Sequence, residues 1–67
     1  MPLINAEQAV EKALEIVKKS GWAYAFVSEV FQEGGYWVVM VDILFKRLRI
    51  KIDSGGEVLE IREIKPS

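Results

Sequence analysis

The side chains of this chain that could take part in chemistry are carboxylates and amines. Beyond the first third of the sequence the carboxylates are Glu29, Glu33, Asp42, Asp53, Glu57, Glu60 and Glu63. General acid and base work by a carboxylate pair needs two of them roughly 5–9 Å apart across a cleft. Here they fall at strand exteriors and in turns, where a solvated charge or a turn-former is the ordinary role. There is no His and no Cys. That removes the commonest general base and metal ligand, the thiolate nucleophile, disulfides and zinc-ribbon spacing. A Lys or Ser nucleophile would lack an activating neighbour. A chain of 67 residues also has little volume for a pocket of the usual ~300 Å³. No catalytic residue, metal or cofactor is expected, and the chain is not expected to be an enzyme.

Two glycine pairs could suggest phosphate cradles. Gly34-Gly35 and Gly55-Gly56 each sit between strand-like segments, and neither opens a helix as a phosphate loop must. Asp53-Ser54-Gly55-Gly56-Glu57 offers too few ligands for a calcium loop. Both are expected to be turns.

The basic run is the remaining chemical feature. Lys46, Arg47, Arg49 and Lys51 are close in sequence, and the last three share one face of a strand. Tyr36 and Phe31 belong to the same face, so a basic, aromatic sheet could stack bases. Asp42 beside Arg47 and Glu60 opposite Lys51 would neutralise part of that field. Nine Lys+Arg against ten Asp+Glu give a net charge of −1, unlike a dedicated nucleic-acid binder. A single-stranded nucleic-acid binder is the second reading, and a solvated strand is favoured over it.

The elements that position these residues are legible from spacing. Ala6, Ala9, Val10, Ala13, Leu14 and Val17 recur at the intervals of one helical face. Asn5 and Gln8 have the spacing of a capping box, Lys18 and Lys19 suit the last turn, and Gly21 can end the helix. The pattern predicts a helix over 6–20. From Trp22 onward aromatic and β-branched residues favour strands, over about 22–33, 36–43, 46–53 and 57–64. Glu33-Gly34-Gly35-Tyr36 has the chemistry of a two-residue hairpin loop. Leu48, Ile50 and Ile52 alternate with charged residues, the clearest period of two in the chain. Pairing by face sets Val41 with Leu48, Val39 with Ile50 and Trp37 with Ile52. That centres the next turn on Leu44-Phe45, an apolar tip, with Asp42 and Arg47 as an opposite-charge pair at its neck. Lys65-Pro66-Ser67 is expected to fray.

One helix followed by four antiparallel strands makes an α+β fold, a helix laid on a four-stranded meander over the single domain 1–67. The expected core is Ala9, Val10, Ala13, Leu14, Val17, Trp37, Val39, Val41, Leu48, Ile50, Ile52, Leu59 and Ile61. Trp22, Tyr24 and Phe26 are expected to close the open end of the sheet as core aromatics.

In this order of elements the chain resembles a PepSY domain. The resemblance is carried by INAEQAVEKAL at 5–14, YWVVMVD at 36–42 and IDSGGEVLEI at 52–61, and it covers about residues 4 to 64. It implies a cystatin-like arrangement of one helix on an antiparallel sheet. It also implies a binding role, since such domains are proposed to bind or inhibit peptidases. It carries no residue-specific site with it.

A single helix covers one face of a sheet. The hairpin about Gly34-Gly35 pairs Phe31 with Val38 and Glu29 with Met40 on the other face. Val27, Phe31, Tyr36, Val38 and Met40 should then form an exposed apolar stripe, and such stripes mark interfaces. The expected function is a non-catalytic protein-interaction module. Its contacts would be Phe31, Tyr36, Val38 and Met40, with Leu44 and Phe45 as a second contact point and Arg47 and Arg49 as a charged rim. Partners would be a second copy, with a dimer favoured, or another protein such as a peptidase. Residues 1–20 lack the uninterrupted apolar run of a secretory signal, and no stretch approaches a membrane span. A cytoplasmic protein that does not enter membranes is therefore expected.

Overall fold

A computed structural model describes residues 4–22 and 24–64. The expected frayed end, 65–67, lies outside the described residues. The order of elements is α1 (Ala6–Lys19), β1 (Phe26–Glu33), β2 (Tyr36–Ile43), β3 (Lys46–Asp53) and β4 (Val58–Ile64). The strands form one antiparallel sheet in sequence order, with the helix packed against β1 and β2. The fold is α+β, as the periodicities predict.

Each end of α1 is fixed by its own sequence. Asn5 Oδ1 accepts from the Gln8 amide at 2.8 Å, and Gln8 Oε1 accepts from the Asn5 amide at 3.0 Å. These two bonds satisfy amides that an open helix end leaves unpaired, and together they form the capping box. At the other end Gly21 takes φ +93 and its amide bonds to Lys18. The stripe of Ala9, Ala13 and Val17 is buried. Two alanines in that stripe let the helix lie close to the sheet.

Both ends of the helix are tied to particular ends of the sheet. Before the helix, the Ile4 amide donates to the Ser54 carbonyl at 3.0 Å, and Trp37 Nε1 donates to the Ile4 carbonyl at 3.2 Å. After it, Trp22 packs against the core with Lys46 Nζ 5.4 Å from the centre of its ring. The helix therefore starts beside the β3–β4 turn and ends beside the β2–β3 turn.

The β2–β3 register pairs Trp37 with Ile52, Val39 with Ile50 and Val41 with Leu48. Ala9, Ala13, Val17, Val39, Val41, Ile43, Ile50 and Ile52 form the buried core between helix and sheet. The loop at Gly34-Gly35 has positive φ at both glycines, +54 and +86. That loop twists the way the strands do. In the last turn Asp53 Oδ1 accepts from the Gly55 and Glu57 amides at 2.9 and 2.8 Å. The carboxylate there is a turn-former, as expected.

The expected burial of five residues is overturned, and two bulges explain most of the change. β1 starts at Phe26 rather than near residue 22, and it carries a bulge at Ser28. An extra residue reverses which face the preceding side chains occupy. Val27 now pairs with Val41 and packs on the core, rather than joining the outer stripe. Phe26 pairs with Asp42 on the outer face and is exposed, as is Tyr24, so neither closes the core. A second bulge makes Val58 the partner of Ile52 and leaves Leu59 out of register. Ile61 does pair with Ile50, but on an edge strand beyond the reach of the helix. Leu59 and Ile61 are each 48% exposed and are not core residues.

Candidate interaction surfaces

The outer face of the sheet is ruled by its register. β1 and β2 bring Glu29 opposite Met40, Phe31 opposite Val38 and Glu33 opposite Tyr36. β3 adds Arg47 opposite Asp42, Arg49 opposite Met40 and Lys51 opposite Val38. Val38 thus occupies the centre of a lattice, with Tyr36 and Met40 along its strand, Phe31 and Lys51 directly opposite, and charged residues on the diagonals.

Those long charged side chains lie down rather than stand up. Arg49 Nη2 reaches Glu33 Oε2 at 3.2 Å, from β3 to β1, on a diagonal that crosses β2 at Val38. Lys51 Nζ sits 4.5 Å from the centre of the Tyr36 ring. Arg and Lys stems cover apolar surface in this way while their charged ends stay wet. The result is that Val38 is 0% exposed. Phe31 and Met40 are half-buried, and Tyr36 remains open at its rim.

This corrects the expected contact surface. Val38 is screened beneath its own chain and cannot touch a partner. Arg49, expected as a rim, is part of the cover. The expected apolar stripe is closed at Val38, while Phe31 and Met40 stay half-buried and Tyr36 stays exposed.

The same side chains bear on nucleic-acid recognition. Arg47 Nε donates to Asp42 Oδ1 at 2.6 Å, Lys46 lies 3.5 Å from Glu63, and Arg49 holds Glu33. The hydrogen bond from Arg47 to the Asp42 carboxylate raises the guanidinium's pKa above its ordinary value. Every cation of the run has an internal anionic or aromatic partner, which opposes release to a phosphate backbone. On the carboxylate side, Glu33, Asp42, Glu60 and Glu63 are ion-paired and Asp53 is bonded into its turn. Among the described residues no three metal-ligating side chains gather at one place.

Exposed apolar surface collects elsewhere, at the end of the sheet where the helix finishes. Phe45 is 83%, Leu44 72%, Phe26 70% and Tyr24 67% exposed. Leu44 and Phe45 form the β2–β3 turn, while Tyr24 and Phe26 bring the chain from the helix end into β1 opposite Asp42. Lys46 and Arg47 follow the turn, and Lys18 and Lys19 occupy the last turn of the helix at that same end. Asp42, Glu63 and Glu15 stand among them as ion-pair partners. The turn at Leu44 and Phe45 lies where pairing by face sets it. The exposure of Tyr24 and Phe26 is not foreseen, because nothing in the sequence marks the bulge at Ser28.

No helix among the described residues is long and apolar enough to cross a membrane. Comparison of the chain with family models, with curated proteins and with solved structures finds no match.

Proposed function

We propose that this chain is a non-catalytic protein-interaction module that holds a partner protein at its apolar tip. The observation that carries the reading is the exposure of Leu44 and Phe45 in a turn whose geometry has no use for them. With no positive φ at either residue the turn accepts almost any side chain, and nothing in it calls for two large apolar ones. Apolar residues kept where the fold gains nothing from them point to function.

Tyr24 and Phe26 enlarge the patch with aromatic surface, the kind most effective at the centre of an interface. A rim of mixed sign surrounds it, Lys18, Lys46 and Arg47 beside Asp42 and Glu63. An apolar centre with a mixed polar rim suits a protein groove. A membrane surface would favour a rim of one sign. The PepSY-like residue pattern supports the same class of role, and a peptidase is one partner that this resemblance would supply.

The test is affinity capture with the wild type and with the double variant Leu44→Asn, Phe45→Gly in parallel, together with sedimentation of both with anionic vesicles. A partner retained by the wild type and lost by the variant supports the reading. Equal retention by both removes it, and vesicle binding lost in the variant replaces it with a membrane role.

A further inference from the structure

β4 closes one side of the sheet, and among the described residues its outer edge has no partner strand. Such an edge is a template for another chain. β1 is the other edge, and the two offer different things. Turning β1 on itself about Val30 sets Glu29 against Phe31 and gains no complementary pair. β4 reads Val58-Leu59-Glu60-Ile61-Arg62-Glu63-Ile64. Turned on itself about Ile61, it sets Glu60 against Arg62 and Ile61 against its own copy.

We propose that two copies pair antiparallel along β4 about a two-fold axis at Ile61, making one continuous sheet with both helices on the same side. The occupant of this edge is a second copy because the charge pattern is self-complementary, and the register is set by the same charges. The adjacent registers that keep both helices on one side place Arg62 against Arg62 or Glu60 against Glu60. Like charges directly opposite each other destabilise a strand pair, and unlike charges support it.

Within one chain Glu60 and Arg62 already lie on the outer face, 3.1 Å apart between Oε1 and Nη2. Pairing would add two cross-strand ion pairs to that arrangement, giving four alternating charges. On the helix side α1 covers β1 and β2, which leaves Ile61 half exposed beside the fully buried Ile50. Its counterpart in the second copy would cover it. The bulge at Leu59 lies outside the three central pairs, 60–62 of each chain, so it does not interrupt them. This surface is separate from the apolar tip, and the pairing leaves one tip at each end of the joined sheet.

The experiment is sedimentation of the full chain from about 1 μM to about 1 mM, the range in which a small edge interface should dissociate. It is repeated for Arg62→Glu, Glu60→Arg and the double variant, with amide exchange reporting that each is folded. A concentration-dependent dimer is expected, with added protection along β4 and none along β1. Each single reversal makes both cross-strand pairs repulsive and should raise the dimer Kd about tenfold or more, while the double variant restores it. A monomer throughout the range overturns the proposal. So does a dimer indifferent to the single reversals, or one whose protection falls on β1. The variant Leu44→Asn, Phe45→Gly should dimerise normally, so failure here and failure of partner binding at the tip are separate results.

Discussion

Arg49 and Glu33 meet at 3.2 Å across the full width of β2, although they belong to strands that do not touch. The span works because Val38 between them is short enough to pass beneath. The ion pair itself contributes little, about 0.2–1 kcal/mol for groups this wet. Its larger effect is to hold the Arg49 stem over apolar surface. The centre of the outer face, at Val38, is thereby closed by side chains of the same sheet.

Val38 should therefore behave as a core residue although it points away from the helix. Val38→Lys places an ammonium where no water reaches and should cost about 3 kcal/mol or more. The whole chain is expected to be stable by only roughly 3–10 kcal/mol. Glu33→Gln should change stability by less than about 1 kcal/mol. Urea unfolding of the two variants checks this. Equal, small effects would mean that the face is open.

The bulge at Ser28 decides which of Phe26 and Val27 faces the helix. Its hydroxyl donates to the Met40 carbonyl at 3.3 Å, which helps to hold the extra residue in place. Deleting Ser28 would restore strict alternation, turn Val27 outward and drive Phe26 toward a core built for valine. Overpacking of that size costs about 1–3 kcal/mol. Thermal unfolding should show the loss, and aromatic NMR shifts should show Phe26 entering the core. Unchanged stability would mean that the bulge has no part in choosing the face.

Replacing the tip should not harm the fold. Leu44→Asn with Phe45→Gly removes two exposed side chains from a turn that has no positive φ, and stability should change by no more than about 1 kcal/mol in either direction. The check is a denaturant midpoint close to that of the wild type. A marked drop would show that the apolar pair serves the hairpin itself.

Glu15 offers a test of the helix surface by pH. Its pKa is held below the ordinary carboxylate value, first by a hydrogen bond from Lys19 and then by the charges of Lys19 and Lys12. Since the folded value is the lower one, its contribution is complete above the unfolded value and is lost as pH falls through the folded value. Lys19→Ala should move the Glu15 titration upward toward the ordinary range, as read from its carboxyl NMR shift. No movement would mean that the 3.1 Å pair in the structure does not form in solution.

Much of the fold could be read from the sequence because it rests on local rules. The capping box at Asn5 and Gln8, the glycines at 34 and 35, and the alternation of Leu48, Ile50 and Ile52 each act over a few residues, and each fixes an element. The β2–β3 register followed from them pair by pair. The surface was harder. Whether Phe26 or Val27 points inward depends on one extra residue at Ser28, and no sequence rule marks it. Whether Val38 is open depends on Arg49 reaching two strands away. Exposure is a property of neighbours, and the neighbours of an outer-face residue come from three strands at once. Leu44 and Phe45 were the exception, since an apolar pair in a tight turn stands out without any structure.

The proposed role places the partner at the tip formed by Leu44 and Phe45. The most direct measurement is an amide and methyl NMR titration of the labelled chain with the captured partner, recording which residues shift. The predicted result is a continuous set of changes at Tyr24, Phe26, Leu44 and Phe45, with Val38 and Arg49 still. Changes centred on Tyr36, Met40 and Arg49, with the tip unmoved, would contradict it.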